Sequence, residues 1–123
     1  MLMGYFYENE VEEDSYINIP RVLMTKNRYK DLSSDAKVVF GILLDRLGLA
    51  VKYGWIDDDG QAYIIYLQEE LQRDMNMSKR RVIETLQELE QIGLIERIQR
   101  GARQADVIYL KKFMVNEVSK VNF

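Results

Sequence analysis

The chain has neither cysteine nor histidine among its 123 residues. Without thiols there can be no disulfide framework, no thiolate zinc site and no thiol nucleophile. Without imidazole, the side chain most often recruited to move protons at neutral pH is missing, and the carboxylates fall in turns or on helix faces. A strand-nicking tyrosine would need a metal site that the sequence does not supply. No catalytic residue, metal or cofactor is expected. Nowhere do 18 apolar residues follow one another, and the opening MLMGYFYENE lacks a basic leader. The expectation is a cytoplasmic protein with no membrane partner.

What is present suits one globular domain: 47% hydrophobic and 30% charged residues, enough chain for a single core without covalent staples. The net charge of -3 is unevenly spread. Residues 1–77 hold 8 Lys+Arg against 14 Asp+Glu, a balance of -6, whereas residues 78–112 hold 8 against 5, a balance of +3. An acidic body with a basic face can still meet a phosphate backbone.

The chain is organised around Leu71 to Ile95, which reads as a helix, a turn at Asn76-Met77, a second helix and a stop. Ser78 stands where an N-cap is wanted. Val82, Leu86 and Leu89, widened by Thr85 and Ile92, form one apolar stripe, and Arg80, Glu84, Gln87, Glu88 and Gln91 line the opposite face. Lys79 and Arg81 flank the first turn. Gly93 suits the left-handed position that closes a helix, with Leu94 folding back on Leu89. The arrangement puts three basic side chains at the start of a recognition helix, although a helical hairpin with solvated charges has the same pattern.

Upstream, residues 1–15 mix Tyr5, Phe6 and Tyr7 with an acidic run and read as an arm, docked on a partner subunit or packed loosely on its own domain. The domain proper is expected over 16–123. Tyr16 to Met24 suits a short edge strand or extended lead-in before and around Pro20. Ser33 or Ser34 can cap a helix whose apolar face includes Val38 or Val39, Ile42, Leu43 and Leu47. Gly41 inside it suggests close approach by a neighbour. Asp59-Gly60 marks a hairpin between Trp55-Ile56 and Ala62–Tyr66. Its three aspartates lack the ligand spacing of a calcium loop and read as a solvated turn. Leu67 to Asp74 gives the short helix.

Beyond Gly93, strands at Leu94–Gln99 and Gln104 or Ala105 to Leu110 flank a tip at Arg100–Arg103. A hairpin directly after a recognition helix is a wing, and wings lie along the backbone or dip into the minor groove. The predicted fold is α+β, a winged helix-turn-helix with an additional β-hairpin after the first helix. Its expected partner is double-stranded DNA. Arg80, Arg81 and Gln87 would read bases, Glu84 would accept from cytosine or orient Arg80, and Ser78 and Lys79 would complete the helix contacts. Arg97, Arg100, Arg103 and Gln104 would serve from the wing.

YKDLSSDAK, GWIDDDGQAYIIY, and SK followed by LQELEQIGLIE and VIYLKKF resemble the N-terminal domain of the RepA_N plasmid replication initiators, from about Tyr16 to Phe113. The resemblance implies binding to repeated sites, iterons, in a plasmid origin, as a homodimer, to start replication. It also implies that host replication proteins are recruited by a C-terminal domain absent from this chain, which would be the isolated DNA-binding part of a longer initiator. Two departures stand out: Leu67 replaces the Ser or Thr often found ahead of the short helix, and Arg81 replaces the Thr that commonly follows Ser-Lys. A protein-interaction or oligomerisation module and a transcriptional repressor are the alternative functions. An arginine-to-alanine change at 80 and 81 would separate the first of these from DNA binding.

Overall fold

The computed structural model describes residues 4–5, 16–101 and 104–113. Helices α1 (Val22–Thr25), α2 (Ser34–Lys52), α3 (Gln68–Met75) and α4 (Lys79–Gln91) combine with strands β1 (Ile64–Tyr66), β2 (Ile95–Ile98) and β3 (Asp106–Leu110). The order is α1-α2-β1-α3-α4-β2-β3. The arm expected over 1–15 falls almost wholly outside the described residues.

Of the two forms expected for the lead-in, the edge strand is not formed and the extended segment fits residues 16–20 but not the helix beyond them. Residues 16–20 have no regular secondary structure, and α1 follows at once. Pro20 is the reason: its carbonyl accepts from the Leu23 N–H at 3.1 Å, opening a helical turn that drops Leu23, fully buried, into the core. Before that turn, the extended chain at Asn18-Ile19 crosses α2 at Gly41. A Cβ there would lie 3.0 Å from Ile19 Cγ1 and 3.1 Å from the Asn18 carbonyl oxygen, so the glycine is what permits the approach.

Ser33 is the N-cap of α2, its hydroxyl accepting from the Ala36 N–H at 3.1 Å, with Asp35 in the first turn where the helix dipole favours an acid. The helix runs past Gly48 to Lys52, one turn further than composition suggests, because Ala50 is buried and keeps the last turn in the core. Ala36, Val39, Phe40 and Leu43 are buried along its inner face.

The hairpin after α2 is reduced. Ile56 and Ala62 form an isolated antiparallel bridge, and only Ile64–Tyr66 goes on into the sheet. Its turn is held by Asp57, whose Oδ1 accepts from the N–H groups of Asp59 at 2.9 Å and Gln61 at 2.8 Å. The expected solvated turn is thus an Asx-type closure, and Gly60 supplies the positive φ of 82° that it needs.

All three strands are antiparallel, in the order β1-β3-β2, with Ile64 opposite Ile108 and Arg97 also opposite Ile108. Period-two alternation turns Ile64, Tyr66, Ile95 and Ile108 inward to meet Leu71, Val82, Leu86, Leu89 and Leu94. Each such side chain contributes roughly 1.5–3 kcal/mol by leaving water. Thr85 completes the stripe of α4, its hydroxyl donating to the Val82 carbonyl at 2.8 Å, which satisfies a fully buried oxygen.

Candidate nucleic-acid interface

Helices α3 and α4 pack across a turn made possible by Asn76, whose left-handed φ of 52° reverses the chain. Leu67 has no side-chain acceptor for the first turn of α3. Glu70 supplies the other half of a cap, its carboxylate accepting from the Leu67 N–H at 3.1 Å. Arg46 from α2 lies 4.2 Å over the Tyr66 ring and 3.6 Å from Glu70, so α2, β1 and α3 are tied at one point. Asp74 accepts from the Tyr66 hydroxyl. Burial first, then that bond, pushes the Tyr66 phenol well above its ordinary value and keeps it neutral.

Helix α4 begins at Ser78, whose hydroxyl accepts from the Arg81 N–H at 3.1 Å. It ends in a two-bond closure: Leu94 N–H donates to Leu89 at 2.9 Å and Gly93 N–H to Glu90 at 3.0 Å, with Gly93 at φ 83°. Arg28 donates to the Ile92 carbonyl at 3.2 Å, placing a cation at the negative end of the helix. At the other end there is no acid in the first turn. Lys79 and Arg80 stand there instead, where the dipole disfavours positive charge and an anion would relieve it.

The candidate side chains divide sharply. Ser78, Lys79, Arg80 and Gln87 are exposed, the Arg80 side chain to 90%, with Glu84 3.4 Å from its Nε. Glu84 is thus placed to orient Arg80. On the wing, Arg100 and Gln104 are exposed, and Arg100 Nε donates to the Ala105 carbonyl at 3.0 Å, which lays the guanidinium across the loop. Arg103 lies outside the described residues.

Two arginines are not where the sequence reading put them. Arg97 points inward from β2, its side chain 9% exposed, with Nη2 2.7 Å from Glu90 and Nη1 3.7 Å from Asp106. Strand alternation puts it on the same face as Ile95, so it ties the sheet to α4 instead of joining the wing surface. Arg81 turns from the open end of α4 toward α2. Its Nε donates to Asp35 Oδ2 at 2.9 Å and its Nη2 to Ser33 Oγ at 3.1 Å. Sequence presents Ser33 as a helix cap and Glu88 as part of a polar face, but does not show that they and Asp35 converge on Arg81, because residues 46 to 55 positions apart meet only after α2 and α4 pack.

A three-stranded antiparallel sheet whose last two strands directly follow a capped second helix defines the winged helix-turn-helix class. Residues 15–122 match the family described as the replication initiator protein A (RepA) N-terminus, and the chain belongs to that family. Among solved structures, it resembles the N-terminal domain of a DNA-binding protein at 34% identity, covering 98% of this chain and 93% of that one, with a TM-score of 0.75. A Rep protein solved in complex with DNA is 34% identical over 96% of this chain and 92% of its own, with a TM-score of 0.76. An MDR initiator is 31% identical, covering 96% and 95%, with a TM-score of 0.72. A 41 kDa protein of Lactobacillus helveticus is 22% identical over 99 residues, 80% of this chain but 28% of that protein. The chain spans little more than a quarter of that relative's length.

Proposed function

We propose that this chain binds double-stranded DNA, recognising repeated sites in a plasmid origin and so starting plasmid replication in the cytoplasm. The observation that carries the reading is the pair Lys79 and Arg80, exposed on the first turn of a Ser78-capped helix that has no acid there. In this class that helix enters the major groove, where arginine donates to guanine and exposed amides such as Gln87 to adenine. Arg100, with Gln104 beside it, would lie against the flanking backbone from the wing, and Arg103 is proposed to do the same.

The relative solved with DNA supports this use of the fold. One winged helix covers little DNA surface, so affinities of roughly 10⁻⁸ M or tighter call for two copies, and we propose a homodimer on the repeats. The rest of a longer initiator would recruit host replication proteins. Among the described residues no helix is long and apolar enough to cross a membrane.

The test is binding of the chain to a duplex carrying its origin repeats, against a scrambled duplex, over a salt series. Tight preference for the repeats is expected, with Arg80→Ala narrowing the preference. Arg100→Ala should weaken both duplexes alike and flatten the slope of log K against log salt by about one. Equal or absent binding would overturn the proposal in favour of a protein-interaction module.

A further inference from the structure

Arg81 occupies the first turn of α4, beside Lys79 and Arg80, yet its guanidinium is committed elsewhere. Besides Asp35 and Ser33, it faces Glu84 Oε1 at 3.4 Å from Nη1 and Glu88 Oε2 at 3.6 Å from Nη2. One cation therefore stands among three carboxylates drawn from two helices. Asp35, Glu84 and Glu88 retain 48%, 45% and 27% side-chain exposure, so their charge reaches the solvent beside the face that Arg80 occupies.

We infer that Arg81 is a positioning residue for DNA binding. It fixes α4 against the start of α2 and cancels carboxylate charge next to the DNA face, without touching phosphate or base. The inference rests on the DNA-binding reading above.

Charge and geometry both support it. Around the first turn, Lys79, Arg80 and Arg81 balance Asp35, Glu84 and Glu88; without Arg81 the local sum becomes -1. Phosphates within a Debye length of about 8–10 Å would feel that change. The planar guanidinium offers five donors in a fixed fork, which matches a cluster of Ser33 Oγ and carboxylates, whereas an ammonium would act as a point charge. The hydrogen bond to Asp35 holds the Arg81 pKa above its ordinary value. To enter the groove, Arg81 would have to abandon Asp35 and Ser33 and uncover the acids just as a polyanion arrived.

The experiment compares origin-repeat and scrambled duplexes over a salt series with wild type, Arg80→Ala, Arg81→Met, Arg81→Lys and a triple variant of Arg81→Met with Asp35→Asn and Glu84→Gln. Thermal unfolding of each variant is followed in parallel. Arg81→Met is expected to lose affinity about five- to tenfold on both duplexes at 0.1 M salt, a loss that shrinks as salt screens the uncovered acids, whereas Arg80→Ala narrows the preference for the repeats. The triple variant should recover most of the loss, although it removes further bonds, which a purely structural role would not allow. Arg81→Lys, which keeps the charge, should fall between wild type and Arg81→Met and serves if the methionine variant fails to fold. A narrowed preference for the repeats in Arg81→Met or Arg81→Lys, a loss that does not shrink with salt, or a folded triple variant that binds no better than Arg81→Met, would overturn the inference. If wild type binds no duplex, both readings fall; if it binds and Arg81→Met behaves like Arg80→Ala, only this one does.

Discussion

Glu88 of α4 accepts both the backbone N–H and the hydroxyl of Ser33, at 2.9 Å to Oε1 and 2.8 Å to Oε2. Ser33 is itself the N-cap of α2, so one carboxylate lies at the positive end of that helix and binds α4 to it. Charged hydrogen bonds of this kind contribute roughly 1.5–3 kcal/mol each when sheltered, and partial exposure here favours the lower end. Glu88→Ala should therefore cost about 2 kcal/mol and lower Tm by roughly 6–8 °C in a calorimetric scan. Glu88→Gln, whose amide oxygen can replace only one acceptor, should lose about half as much. Equal Tm values for the alanine variant and wild type would show that Ser33 caps α2 unaided.

Gly41 and Gly48 lie in the same helix and should answer alanine with opposite signs. Alanine gains up to ~1 kcal/mol over glycine in a helix interior. At Gly48 nothing lies within 4 Å of the added Cβ, so Gly48→Ala should stabilise by about 0.5–1 kcal/mol. At Gly41 the Cβ meets Ile19 Cγ1 at 3.0 Å and the Asn18 carbonyl at 3.1 Å. Displacing that crossing should outweigh the propensity gain, and Gly41→Ala should lower the denaturant midpoint. A midpoint raised by both substitutions would mean that the lead-in yields freely.

Arg97 is expected to matter for stability and not for the salt dependence of DNA binding. Its buried guanidinium bridges Glu90 of α4 and Asp106 of β3, and removing it leaves Asp106 facing the interior at 15% exposure. Breaking such a pair from one side costs several kcal/mol when fully buried. Because Glu90 can turn to water, Arg97→Ala should cost about 2–3 kcal/mol in urea unfolding. A salt slope flattened by one in that variant would return Arg97 to the DNA surface.

The elements legible in the sequence were those set by local signals. Ser78, the apolar stripe of Val82, Leu86 and Leu89, and Gly93 predict α4 and its ends, and each does in the structure what its position suggests. Gly41 announced a close approach without naming Asn18 and Ile19. Around Pro20 the alternation of Ile17 and Ile19 suits a strand or an extended lead-in and gives no sign of α1, because nothing local says that Leu23 has a core site waiting. Arg81 and Arg97 were misplaced for a related reason. Spacing tells which face of an element a side chain occupies, but not that Asp35 or Glu90 will be there to draw it in. Arg80, paired with Glu84 one turn along its own helix, lies on the exposed face that its spacing gives it.

Acid should loosen the turn between α2 and β1 as pH falls through the range in which Asp57 takes up its proton. Asp57 accepts from Gln61 and Asp59 N–H groups and from the Tyr109 hydroxyl at 2.9 Å. The backbone bond from Gln61 is the largest influence, and the set holds the carboxyl below its ordinary 3.8. A depressed pKa means that the folded state prefers the ionised form. The stabilisation is therefore present above the unfolded value and is lost as pH falls through the folded one. Tyr109 reports the same contact from the other side, its phenol raised chiefly by the bond to Asp57. Carboxyl NMR titration should find Asp57 with a midpoint below 3.8, and Tyr109→Phe should move it upward. Fluorescence of Trp55, which stacks on Tyr63 at 6.2 Å beside this turn, should change over the same acidic range. In Asp57→Asn, which cannot titrate, that change should vanish; a Trp55 transition unaltered in this variant would place its cause elsewhere.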